Sequence, residues 1–279
     1  MSAAPGGPGA PGPGGGRWTA PRVRALKGRE PIAVLTAYDH PTARLADGAG
    51  VEVVLVGDSL GMVVLGYEST LPVTVDEMVH HTKAVVRARP TALVIADMPF
   101  MSYQTGPTEA LAAAGRLVKE GGADGVKLEG GARVAEAVRA IVEAGMPVMG
   151  HLGLTPQSVL QFGGYRVQGR GAEEAERLRA DAAVLEGAGA FALVLEGIPS
   201  GLAGEVTRAV GIPTIGIGAG PACDGQVLVW HDVLGFYHGR QPRFVRRYAE
   251  LWQAADDGLR RFVADVKSGR FPAPGESYE

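Results

Sequence analysis

VLVGDSLGMVVLGYESTLPVTVDEM, residues 54–78, packs a strand, a turn and the start of a helix into one short span. Val54, Leu55, Val56 and Gly57 run straight into Asp58 and Ser59, so an apolar stretch delivers a carboxylate and a hydroxyl where it ends. The run is too short for a helix and β-branched enough for a strand covered on both faces, as in parallel sheets. Farther on, Thr74-Val75-Asp76-Glu77 reads as a capping box, in which a hydroxyl and a carboxylate satisfy the first unpaired N–H groups of a helix. It opens a helical pattern over Val75–Arg87. Strand, loop and helix in this order form half of a βαβ unit.

The same beat recurs along the chain. Strand-like runs stand at 32–39, 51–59, 91–100, 124–130, 147–153, 190–197, 213–220 and 226–232. Helical patterns lie between most of them, at Pro41–Ala49, Val75–Arg87, Thr108–Lys119, Ala132–Glu143, Ala172–Glu186 and Ser200–Ala209. Parallel βαβ units with right-handed crossovers follow, and eight in about 250 residues predict an α/β fold, a (β/α)8 TIM barrel rather than an open doubly wound sheet. From Arg243 to Lys267 an apolar stripe of Phe244, Tyr248, Leu251, Leu259, Phe262 and Val266 predicts an amphipathic C-terminal helical extension, bent or split at Gly258. Such a stripe also suits docking on a neighbouring subunit.

The 279-residue chain is 46% hydrophobic, enough to bury a large core. Lys and Arg number 27 against 30 Asp and Glu, a formal net charge of −3 that gives no reason to expect nucleic acid or a membrane surface as partner. A small molecule fits better. Cys223 is the only cysteine, so no internal disulfide can form. No apolar run reaches the roughly 20 residues of a transmembrane helix. The start, MSAAPGGPGAPGPGGG, lacks the basic and apolar regions of a signal peptide, and the expectation is a disordered Gly/Pro-rich tail over residues 1–20, a single barrel domain over 21–279 and a cytoplasmic location.

Polar groups close the strands: Asp58 the second, Asp97 the third, Glu129 the fourth, His151 the fifth and Glu196 the sixth, with Lys127 on the same face as Glu129. In a barrel these carboxyl ends share one mouth. Carboxylates crowded there repel unless a cation binds or a proton stays. Asp58, Asp97 and Glu129 offer hard oxygens, which favours Mg²⁺ over zinc. Each carboxylate taken singly is equally readable as a turn or a helix cap.

Several longer stretches resemble the ketopantoate hydroxymethyltransferase family: LTAYDHPTARLAD, residues 54–78, IADMPFMSY, VKLEGG, GHLGLTPQSV with the following QFGGYRVQGR, LVLEGIP and PTIGIGAGPACDGQVLVWHD. The resemblance spans roughly residues 30 to 270. It implies a (β/α)8 enzyme of pantothenate and coenzyme A biosynthesis, a homo-oligomer that is a homodecamer in many members. It implies transfer of a one-carbon unit from 5,10-methylenetetrahydrofolate to 3-methyl-2-oxobutanoate through a Mg²⁺-stabilised enolate. Carried over by position, it makes Asp58, Asp97 and Glu129 the ligands of one Mg²⁺ per subunit and Glu196 the general base. Asp58, Ser59, Asp97, Lys127 and His151 then surround the ketoacid.

Two rival readings stay open: another Mg²⁺-dependent barrel enzyme that makes or breaks carbon–carbon bonds in a 2-oxoacid, and a non-catalytic binding barrel. Gly216, Gly218 and Gly220 lack the helix and acid of a dinucleotide site, leaving a phosphate-binding loop as the alternative. His80 and His81 read as a helix face. Tyr165 and Arg166 lie in a Gly-rich segment that is either a loop over the mouth or an ordinary surface loop.

Overall fold

The computed structural model describes residues 16–236 and 241–278, and its contacts divide the chain into two units, one up to Val229 and one from Trp230. The first unit begins with α1 (Ala20–Arg24), β1 (Ile32–Thr36), α2 (His40–Gly48), β2 (Val53–Val56), α3 (Leu60–Val63), α4 (Val75–Val86) and β3 (Leu93–Asp97). It continues through α5 (Pro107–Lys119), β4 (Gly125–Glu129), α6 (Ala135–Glu143), β5 (Val148–Gly153), α7 (Val159–Phe162) and α8 (Ala172–Gly187). It ends with β6 (Ala192–Glu196), α9 (Ser200–Ala209), β7 (Thr214–Ile217) and β8 (Gly225–Leu228). Each strand pairs in parallel with the next and β8 returns to β1, closing the expected barrel. The capping box opens α4 as read: Thr74 Oγ1 accepts from Glu77 N, and Glu77 Oε2 accepts from Thr74 N. The regular beat lapses once, between β7 and β8, where GIGAG leads into a strand without an intervening helix.

Alternation along each strand sorts the core into two layers. Ile32, Val34, Val53, Leu55, Leu93, Ile95, Met149, Val194, Ile215 and Val227 pack together in one cluster, inside the barrel. Their neighbours in sequence, such as Val54, Val94, Val126, Leu128 and Leu193, pack with the helix residues Met78, Ala114, Leu117, Ile141 and Leu185. Continuing the inward alternation past Ile95 reaches Asp97, and past Val194 it reaches Glu196. Thus the strand parity that fills the barrel with apolar groups also turns the polar strand-end residues into its mouth.

Two boundaries differ from expectation. Residues 1–15 of the expected tail lie outside the described residues, but ordered structure begins before residue 20. Trp18 is buried against Val23 and the barrel cluster, its backbone N–H donates to Thr91 O, and Thr19 caps α1. The Gly/Pro composition therefore stops short of the boundary assigned to it.

The second unit, described by itself, holds α10 (Trp230–Val233) and α11 (Leu251–Lys267). The helix expected from Arg243 starts only at Leu251, because the N–H groups of Tyr248, Leu251 and Trp252 donate to the carbonyls of Val233, Leu234 and Gly235. It runs unbroken through Gly258. No residue of α11 is buried within the chain, and Leu259, Phe262 and Val266 stand exposed. Among the described residues no helix is long and apolar enough to cross a membrane.

Candidate active site

Strand register explains which polar groups meet. Asp97 pairs with Lys127 across β3 and β4, Glu129 with His151 across β4 and β5, and Gly153 with Glu196 across β5 and β6. Lys127 Nζ consequently stands 3.0 Å from Asp97 Oδ1 and 4.0 Å from Glu129 Oε1. His151 presents Nδ1 to Glu129 Oε1 at 3.5 Å and Nε2 to Glu196 Oε2 at 3.2 Å. Asp58, one residue beyond the inward parity, is tied in through its own backbone, whose N–H donates to Asp97 Oδ2 at 3.0 Å. Asp58, Asp97, Lys127, Glu129 and His151 are all buried, whereas the Glu196 side chain keeps 15% of its surface open. Ser59 lies beside them, its hydroxyl 2.9 Å from Tyr38 OH.

The sequence reading missed the residues that brace this cluster. Gln157, in the turn after β5, donates from Nε2 to Asp58 Oδ2 at 2.8 Å and to Met98 O at 2.9 Å. Its backbone N–H donates to Glu129 Oε2 at 3.0 Å. Tyr103 OH donates to Gln157 Oε1 at 2.7 Å and accepts from Glu129 N at 3.0 Å. These are neutral loop residues without periodic pattern; the one signal was Thr-Pro ahead of Gln157, which ends a strand and starts a tight turn at the mouth.

Burial first, and then the charges of Asp97 and Glu129, push the Asp58 carboxyl well above its usual range. Burial also raises Asp97, against the pull of Lys127. Glu129 goes the other way: burial opposes its charge, but His151, Lys127 and the Gln157 N–H together hold it ionised. Lys127 stays protonated because its three acidic neighbours outweigh its burial. Four carboxylates thus face one ammonium and one imidazole, so the site must keep a proton or gain a cation.

A hard divalent cation fits that description. Its donors would be oxygens, the excess charge is negative, and Asp97 Oδ1 is buried without a hydrogen bond, its ion pair with Lys127 being poorly directed. Among the described residues no three His, Cys, Asp or Glu side chains stand gathered at ligand spacing. The protein would therefore supply part of the coordination, as suits Mg²⁺, which keeps waters and substrate oxygens in its shell.

His151 makes stability depend on pH. Burial and then Lys127 oppose a charge on the ring, yet the contacts with Glu129 and Glu196 win and push its pKa up to about 9. A group with a raised folded pKa stabilises fully below its unfolded value, about 6.5, and loses that contribution as pH rises through the folded value. In protein stripped of metal by a chelator, unfolding free energy should fall by a few kcal/mol between pH 6.5 and above 9, on the order of the shift converted at 1.36 kcal/mol per unit. Urea titrations across that range should show this slope in the parent and its loss in His151→Gln.

Gly153 fixes the end of β6. It has φ +93°, and an added Cβ would clash with Glu196 O, the carbonyl that accepts from Leu154 N. Gly153→Ala should cost at least about 2 kcal/mol from backbone strain and clash. A melting curve checks this; unchanged melting would mean that the β5–β6 end yields without penalty.

The weaker candidates divide. On α4, His81 Nδ1 lies 2.7 Å from Tyr38 O and His80 is exposed, in keeping with a helix face. The Tyr165 hydroxyl reaches Met62 Sδ at 3.6 Å, and burial, followed by the charges of Glu196, Asp58 and Glu129, raises its pKa. That puts Tyr165 within electrostatic reach of the carboxylates.

The family model described as ketopantoate hydroxymethyltransferase matches residues 17–274. The chain belongs to that family. It is 60% identical over 264 residues to the 3-methyl-2-oxobutanoate hydroxymethyltransferase of Moorella thermoacetica, covering 94% of this chain and 98% of that protein. The protein of the same name from Trichlorobacter lovleyi is 57% identical over 262 residues, covering 93% and 98%. Among solved structures, 2,3-dimethylmalate lyase, a PEP mutase/isocitrate lyase superfamily member, aligns with TM-score 0.57 at 20% identity over 93% of this chain and 90% of its own, a likeness of fold. Family membership and the closed barrel bear out the resemblance read from the sequence motifs.

Proposed function

We infer that this chain is a 3-methyl-2-oxobutanoate hydroxymethyltransferase of pantothenate and coenzyme A biosynthesis, which moves a one-carbon unit from 5,10-methylenetetrahydrofolate to the ketoacid. The products are 2-dehydropantoate and tetrahydrofolate. The observation that carries the reading is the partly open carboxylate of Glu196, held by His151 at the edge of a buried acidic cluster. A base must reach substrate, and of the four carboxylates Glu196 keeps the most open surface.

Asp58, Asp97 and Glu129 would hold one Mg²⁺ per subunit, which when bound draws electrons from the ketoacid's carbonyl and acidifies the neighbouring carbon. Glu196 takes the proton from that carbon, and the electron pair left behind attacks the folate's methylene carbon. Both bonds from that carbon to the folate nitrogens break as its bonds to the ketoacid carbon and to a water oxygen form; that oxygen becomes the new hydroxyl, and the protons released by the ketoacid and by water end on the two nitrogens. His151, 3.2 Å from Glu196, orients the carboxylate and is placed to meet that hydroxyl. Lys127 and Ser59 attract the carboxylate end of the ketoacid. A homo-oligomer, a homodecamer by the family resemblance, and a cytoplasmic location belong to the same proposal; sedimentation velocity tests the assembly.

Deuterium exchange at the carbon next to the carbonyl tests the first step without presupposing the second substrate. The reading predicts Mg²⁺-dependent exchange in 3-methyl-2-oxobutanoate with the protein alone. A binding barrel would leave the substrate unexchanged, and a 2-oxoacid lyase would cleave its own substrate without folate.

A further inference from the structure

The Gln157 side chain uses its whole hydrogen-bonding capacity inside the site, and its contacts fix which way its amide faces. Met98 O can only accept, so the amide atom facing it must be Nε2, which also donates to Asp58 Oδ2; Tyr103 OH, at 2.7 Å, and Gln104 Nε2, at 3.1 Å, then supply hydrogens to Oε1. The phenol is constrained in turn, because Glu129 N–H donates to it and its own hydrogen goes to the nearer acceptor, Gln157 Oε1, rather than to Glu129 O at 3.2 Å. One residue therefore occupies one oxygen on each of two carboxylates: Asp58 Oδ2 by its side chain and Glu129 Oε2 by its backbone. At 5% exposure it is shielded from competing water.

A cation must compete with the Gln157 amide for Asp58 Oδ2, so Asp58 is left to present Oδ1; Glu129, whose Oε2 takes the Gln157 N–H, turns Oε1 toward His151 Nδ1 at 3.5 Å and Lys127 Nζ at 4.0 Å. Single-oxygen ligation at few protein positions suits Mg²⁺, which demands compact octahedral geometry. Ca²⁺ takes 6–8 oxygens and readily uses both oxygens of a carboxylate. We propose that Gln157 is a positioning residue that confines Asp58 to one-oxygen ligation and thereby selects Mg²⁺ over Ca²⁺. This rests on the reading that a divalent cation sits among Asp58, Asp97 and Glu129.

The test is calorimetric titration of Mg²⁺, and separately Ca²⁺, into chelator-stripped protein with saturating 3-methyl-2-oxobutanoate. Gln157→Met keeps the length and removes the amide, which frees Asp58 Oδ2 while the backbone bond to Glu129 survives. Mg²⁺ affinity should fall about tenfold, the usual cost of an outer-shell partner, and the preference for Mg²⁺ over Ca²⁺ should narrow by a similar factor. Tyr103→Phe removes only the hydroxyl that orients the amide and should shift the preference the same way but less, so a misfolded Gln157→Met leaves the idea testable. Wild-type preference retained in a folded Gln157→Met, or in Tyr103→Phe if the first variant fails to fold, overturns the role of Gln157 and leaves the metal reading standing. Wild-type protein that binds neither cation overturns both.

Discussion

Exchange of the ketoacid's acidic proton for deuterium slows by roughly 10²–10⁴-fold in Glu196→Gln, the usual worth of a positioned general base. Glutamine keeps the size of the side chain and can still meet His151 Nε2, 3.2 Å from Glu196 Oε2 in the parent, so the ring need not turn. It cannot take a proton. Ketoacid affinity in the presence of Mg²⁺ should change little, because the cation is held by other side chains, and turnover with methylenetetrahydrofolate should fall in step with exchange. Exchange rate and ketoacid affinity measured on the same variant separate the roles. Near-normal exchange makes Glu196 a structural cap, whereas lost affinity makes it a ligand.

Asp97→Ala should lose Mg²⁺ and ketoacid binding together, each by roughly 100-fold or more, since a direct ligand outweighs the 10–100-fold worth of an outer-shell partner. The fold should survive. Removing one buried carboxylate relieves the repulsion that raises Asp58, and Lys127 keeps Glu129 at 4.0 Å as a counter-charge. Calorimetry for binding and a melting curve for stability check the two halves. Unaltered Mg²⁺-dependent ketoacid binding would remove Asp97 from the cation's ligands.

Much of this was legible in the sequence for a physical reason. A strand side chain changes face every residue, so once Leu93 and Ile95 are read as core, Asp97 must turn inward with them, and Met149 likewise carries His151. The box from Thr74 to Glu77 was equally readable, because its partners lie within one helical turn. What escaped depends on partners distant in sequence. Gln157 meets Asp58 and Tyr103 from another loop, and no local pattern marks a neutral amide as a brace. Tyr248 fits a helical stripe by spacing, yet its N–H is taken by Val233 O and the helix begins later. Trp18 lay hidden behind a Gly/Pro run whose composition says nothing of the one aromatic that follows it.

Carbon transfer itself is tested by giving the purified protein Mg²⁺, 3-methyl-2-oxobutanoate and 5,10-methylenetetrahydrofolate labelled with ¹³C in the methylene bridge, then following the label by NMR. The account predicts that the label appears in the hydroxymethyl carbon of 2-dehydropantoate, and that Glu196→Gln transfers it far more slowly. Ketoacid consumed without labelled hydroxymethyl product, or label transferred equally fast by Glu196→Gln, would contradict it.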